Sequence, residues 1–200
     1  MAQTAVQESI LTTETTSREP VRLALRKLWS DHVFWTREYI IAAINGSSGP
    51  ADAAAARLLR NQDDIGKAIV PYYGEGAGNK LTDLLKQHIM IAVDLVADAK
   101  SGNNDKFAAD DRLWTENATQ IARFLAGANP AWPENDVRDL LSLHLELTKG
   151  EVVALLQQDW NAAIKAFDDI FTEIMVLADA LHDGLVAQFP ERFGATAARA

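Results

Sequence analysis

Three of the four histidines stand at equal intervals, and this spacing constrains the fold more than any other feature. Fifty-six residues separate His32 from His88, and 56 separate His88 from His144. Each ends a similar string: Leu28-Trp29-Ser30-Asp31-His32, Leu84-Leu85-Lys86-Gln87-His88 and Leu140-Leu141-Ser142-Leu143-His144. Seven residues before the histidines come Leu25, Leu81 and Val137, and three after come Trp35, Ile91 and Leu147. Positions −7, −4, −3, 0 and +3 share one face of a helix, so each histidine belongs to an apolar stripe. Asparagine repeats the interval at Asn61 and Asn117. Leu58 and Trp114 precede these amides by three residues, and Ile65 and Ile121 follow by four. The pattern reads as a helical hairpin used at least twice, with a third copy in the last part of the chain.

The turns follow from the same spacing. The midpoint of His32 and Asn61 falls in Asn45-Gly46-Ser47-Ser48-Gly49-Pro50, and that of His88 and Asn117 in Ser101-Gly102-Asn103-Asn104. Both are strong turn strings. Residues equidistant from a turn lie level on antiparallel helices, so each histidine should face its asparagine. In a third copy the partner of His144 would be Glu173, with a turn near Gln158-Asp159. That string has no turn chemistry, and helical periodicity runs through it. Thr148-Lys149-Gly150-Glu151 instead reads as a break with a capping box.

Elsewhere the punctuation is clear. A first helix runs from about Pro20 to Ile44 and a second from Ala51 to Val70, ended by Pro71. The stretch 72–79 reads as a loop, followed by helices over 80–100, 105–126 and 134–147, and helical periodicity over 151–189. No segment alternates long enough to be a strand. The predicted fold is an all-α, up-and-down bundle of five to six helices built from repeated hairpins. Residues 1–19 form a disordered tail, 20–190 a single domain and 191–200 a second tail.

Composition narrows the chemistry. The chain has no cysteine, which excludes disulfides, thiolate sites and cysteine nucleophiles. A net charge of −9 argues against nucleic-acid and anionic-membrane partners. No apolar run approaches the ~20 residues of a membrane span, and the start lacks a signal-peptide pattern, so a cytoplasmic location is expected. An exposed apolar stripe on the last helix would favour a homodimer.

Two readings of the histidines stay open. Buried polar groups left unpaired cost roughly 1–3 kcal/mol each, so a buried hydrogen bond in each hairpin is one reading. The other is a metal site in which His32, His88 and His144 converge on a divalent transition ion, zinc or iron, which imidazole suits. Asp64 and Glu173, with Asp169 beside it, are candidate carboxylate ligands. Asn61 and Asn117 would orient the rings from behind, and Trp35 and Trp114 would line the site. His182 reads as a solvated surface residue. Gly74, Gly76 and Gly78 precede Lys80 and Thr82, but Asn79 and Leu81 break the phosphate-loop order, so this is a plain interhelical turn. No residue set defines a reaction. Against the metal reading stands a non-enzymatic scaffold or small-molecule-binding bundle in which the histidines only hydrogen-bond.

Several strings also look familiar: Arg57-Leu58-Leu59-Arg60-Asn61-Gln62-Asp63-Asp64-Ile65-Gly66, Pro71-Tyr72-Tyr73-Gly74, Leu84-Leu85-Lys86-Gln87-His88-Ile89, Asn129-Pro130-Ala131-Trp132-Pro133, Glu151-Val152-Val153-Ala154 and Gln188-Phe189-Pro190. Over roughly residues 22–193 the chain resembles an uncharacterised bacterial family of small helical proteins. The resemblance implies a helical fold and brings no catalytic residues. Some members carry a glycosyltransferase label, but this chain lacks the α/β pattern of a nucleotide-sugar site.

Overall fold

The computed structural model describes residues 18–194. They form five α-helices: α1 (Arg18–Ile44), α2 (Ser48–Ser101), α3 (Asn104–Ala128), α4 (Glu134–Leu156) and α5 (Trp160–Gln188), followed by a short 3-10 helix, Pro190–Phe193. No strand occurs among the described residues. The predicted tails fall mostly on 1–17 and 195–200, outside the described residues. The domain extends past its predicted end at 190, because Phe193 is buried and stacks on Tyr72.

Three turns close on the same hydrogen bonds. Gly46, Gly102 and Gln158 adopt positive φ of 75°, 70° and 58°. Their N–H groups donate to the carbonyls of Ala43, Ala99 and Leu155 at 3.1, 3.3 and 3.1 Å. The next N–H groups, of Ser47, Asn103 and Asp159, donate to Ala42, Asp98 and Ala154 at 2.9, 3.0 and 2.9 Å. This is the Schellman ending, which satisfies the last carbonyls of a helix. Asn103 and Asp159 then cap α3 and α5, their side chains accepting from Lys106 N and Ala162 N. The third turn therefore sits where the histidine interval places it, with glutamine in the left-handed position. Helix α4 runs through 148–151 without a break; the Thr148 hydroxyl donates to the His144 carbonyl one turn back and so caps no new helix.

The predicted stop at Pro71 is also corrected. Helix α2 continues past it and breaks only at Gly74 (φ 81°, ψ 169°). Tertiary packing overrides the proline: Tyr72 packs on Phe189 and Phe193, and Tyr73 on Trp132 and Phe189. The two arms of α2 fold back on each other around Gly74. A Cβ on Gly66 would lie 1.9 Å from Thr82 Oγ1 and 2.6 Å from the Gly78 carbonyl oxygen, so only glycine allows this approach. Asp63 and Lys86 clamp the same pair of arms at 2.6 Å.

Helix α1 packs on α2 and α5, α2 on α3, and α4 on both α3 and α5. The core is built in layers whose members stand 56 residues apart. Leu25, Leu81 and Val137 are buried, as are Trp29, Leu85 and Leu141, then Val33, Ile89 and Leu145. Ile40, Val96 and Val152 belong to a second, smaller apolar cluster near the turns. At the opposite end Asn129 is fully buried, donating to Tyr73 Oη at 3.0 Å and the Gly184 carbonyl at 2.9 Å. Burial pushes the Tyr73 phenol up to about 12. Asp179 accepts from both Arg22 and Arg26 and ties α1 to α5; the two guanidiniums hold its carboxyl far below the usual range.

Candidate functional site: a layer of three histidines

His32 on α1, His88 on the second arm of α2 and His144 on α4 meet in the core. Each is 3–4% exposed. Ring centroids are 5.6 Å apart for His32 and His144, and 6.5 Å for each of the other two pairs. The rings reach one layer because each lies on the apolar stripe of its helix, at the same height above its turn.

The hydrogen bonds of these rings all use Nδ1, each towards a neighbouring helix segment. His88 Nδ1 is 3.0 Å from Asn117 Oδ1. The Asn117 amide nitrogen donates to the Leu84 carbonyl at 3.1 Å, which fixes the oxygen towards the ring. An amide oxygen only accepts, so Nδ1 of His88 carries the proton and Nε2 keeps a lone pair. His144 Nδ1 is 3.0 Å from Glu173 Oε2, with the same consequence in the neutral ring. Glu173 is 5% exposed, and its Oε1 is buried without a partner.

His32 is served differently. Asn61 is buried, but it donates to the Leu28 carbonyl at 3.0 Å instead of meeting the ring. That bond repeats the one from Asn117 to Leu84, each amide reaching the carbonyl four residues before a histidine. The group beside His32 Nδ1 is Gln62, whose Nε2 lies 3.4 Å away. Both donors of that amide already serve the Leu58 carbonyl (2.8 Å) and Asn61 Oδ1 (3.1 Å), so its grip on His32 is weak. Gln62 was legible in the sequence: it falls on the stripe of Leu58, Ile65 and Ile69.

Burial pushes His32 and His88 below the ordinary histidine range, His88 to about 3. Positive charge on His144 lowers both further, and charge on His88 also lowers His32. Both are neutral at pH 7, the form that binds metals. Trp114 covers His88, its indole 5.0 Å from the imidazole centroid, and donates to the His88 carbonyl at 3.1 Å.

The remaining expectations need correction. Asp64 is exposed on the outer side of α2, where it lines a groove with Arg60 and Lys67. Trp35 is half-buried away from the layer, with the Arg57 guanidinium 5.6 Å from its ring centroid. Asp169 pairs with Lys165. Glu173 stands behind His144 and not among the rings. His182 is 4% exposed, with Nδ1 2.9 Å from Asp183 and Nε2 3.2 Å from the Arg18 carbonyl. It lies on the stripe of Ala178 and Leu185, a signal that its polar neighbours masked. As the side chains stand, no group of three or more His, Asp or Glu is close enough to hold a metal ion among the described residues. No known protein family, curated protein or solved structure matches the chain.

Proposed function

We propose that the histidine layer is a metal site, holding one divalent transition ion, zinc or iron, through Nε2 of His32, His88 and His144. The observation that carries this reading is their convergence: three imidazoles meet in the core, and Nδ1 of His88 and of His144 is held from behind. Metal-binding histidines characteristically use one nitrogen for the ion and the other for an amide or carboxylate. Asn117 and Glu173 supply that support for His88 and His144. At His32 the Gln62 amide presents its nitrogen, so ligation through Nε2 there requires the amide to turn its unpartnered Oε1 towards Nδ1. Tetrahedral ligation at 2.0–2.1 Å places ring centroids about 5 Å apart. The His32–His144 pair, at 5.6 Å, is near that separation. The pairs at 6.5 Å require His88 to move inward by about 1.5–2 Å. Three protein ligands leave a fourth position for water or another ligand.

The shared layers and the three like turns support an up-and-down bundle made by threefold use of a 56-residue hairpin. In this reading Asn61, Asn117 and Glu173 descend from one position. The exposed Trp160, Ile164 and Phe171 on α5 support a homodimer, which light scattering after size exclusion tests.

Metal analysis of untagged protein decides the matter. The expected result is about one ion per chain, absent from the His32→Ala, His88→Ala, His144→Ala triple variant. Protein that remains metal-free after incubation with zinc, iron, copper and nickel overturns the proposal. The present ring spacing favours what would then remain, a scaffold whose polar layer is structural.

A further inference from the structure

One helical turn beyond the histidines come Thr36, Ala92 and Thr148, again 56 residues apart. They help line a cavity of about 50 Å³, and so, one further turn along each helix, do Ile40, Val96 and Val152. Those three belong to the smaller core cluster, so the cavity lies where the two clusters fail to meet. Trp114, which covers His88, is also part of the wall. The hydroxyls of Thr36 and Thr148 donate to the His32 and His144 carbonyls at 2.8 Å, and the Lys149 amine at the rim pairs with Asp111 and Glu146. The surface left to the cavity is almost wholly hydrocarbon. A held water needs two to four polar partners, and apolar cavities of this kind stay dry.

We propose that this cavity binds a short aliphatic group, either free or as the end of a small amphiphile. One water-sized group occupies roughly 10–15 Å³ on this scale, so there is room for about four heavy atoms. The rim gives access, since Val153 is 48% exposed and Lys149 and Phe107 are half-buried. The guest ends one helical turn from the imidazoles, beside Trp114. Its binding needs no metal, because no histidine nitrogen belongs to the wall.

The test is ¹²⁹Xe NMR of the full chain, metal-free and after zinc addition. A saturable xenon shift, displaced by 1-butanol in both states, is expected. Ala92→Leu adds three carbons to the floor and should weaken xenon binding about tenfold or more, while Val96→Ala should strengthen it severalfold. The proposal is overturned by wild-type protein with no saturable shift, by xenon that 1-butanol does not displace, or by a folded Ala92→Leu protein with undiminished binding. If Ala92→Leu does not fold, an unchanged xenon affinity in Val96→Ala overturns it instead. Metal content is read separately, so either proposal can fail while the other stands.

Discussion

Gln158→Gly should stabilise the protein, although it deletes a side chain and makes no new contact. Gln158 holds φ of 58°, the only non-glycine residue at positive φ among those described. The left-handed region costs an L-residue about 1–2 kcal/mol. Glycine removes that strain but gives back about 0.4–1 kcal/mol through a freer unfolded chain. The net gain lies within about 0–1.6 kcal/mol and is about 0.8 kcal/mol at the midpoints, or roughly 2–3 °C in Tm for a chain of this size. Urea unfolding should show a higher midpoint with an unchanged m value. The matched control is Gly102→Ala. A Cβ there meets nothing within 4 Å, so its expected loss of about 0.5–1 kcal/mol is the backbone strain less the entropy removed from the unfolded chain, with no steric clash added. A less stable Gln158→Gly, or a neutral Gly102→Ala, would refute the equivalence of the turns.

Acid should destabilise the metal-free protein from about pH 6.5 downward. His32 and His88 titrate near 6.5 when unfolded but are held lower in the fold, so the unfolded chain binds the extra protons and stability falls by about 1 kcal/mol per pH unit per ring. Burial raises Glu151 to about 7 against the opposing pull of Arg37, so its contribution is present below about 4.5 and lost as pH rises through 7. Between pH 6.5 and 4.5 two groups oppose one, for a net loss of roughly 1 kcal/mol per pH unit; Glu151→Gln should steepen it, and a flat profile by urea unfolding would contradict the assignment. Gly66→Ala should cost about 1–3 kcal/mol or more, because its Cβ would meet the Gly78 carbonyl at 2.6 Å; a midpoint within error of wild type would remove the close approach of the α2 arms.

Much of this arrangement was legible before the structure. Apolar periodicity and the Gly46 and Gly102 turn strings gave the helices and two of the reversals, and the histidine interval put the rings on inward faces. What escaped did so for physical reasons. Gln158 carries a backbone conformation that its side chain does not advertise, so the third turn could be found from the interval but not from local chemistry. Pro71 signals a stop that the packing of Tyr72 and Tyr73 overrides. The Arg37–Glu151 pair joins residues 114 apart; its one local sign was a carboxylate on an apolar stripe, which the capping-box reading of Thr148–Glu151 absorbed. Asp64 shows how a residue one turn from Asn61 can still face water.

X-ray absorption on zinc-loaded protein bears most directly on the three imidazoles acting together. The account predicts a shell of nitrogen at about 2.0–2.1 Å with the multiple scattering of three imidazoles, falling to two in His88→Ala. A shell with one imidazole or none, unchanged in His88→Ala, would contradict it.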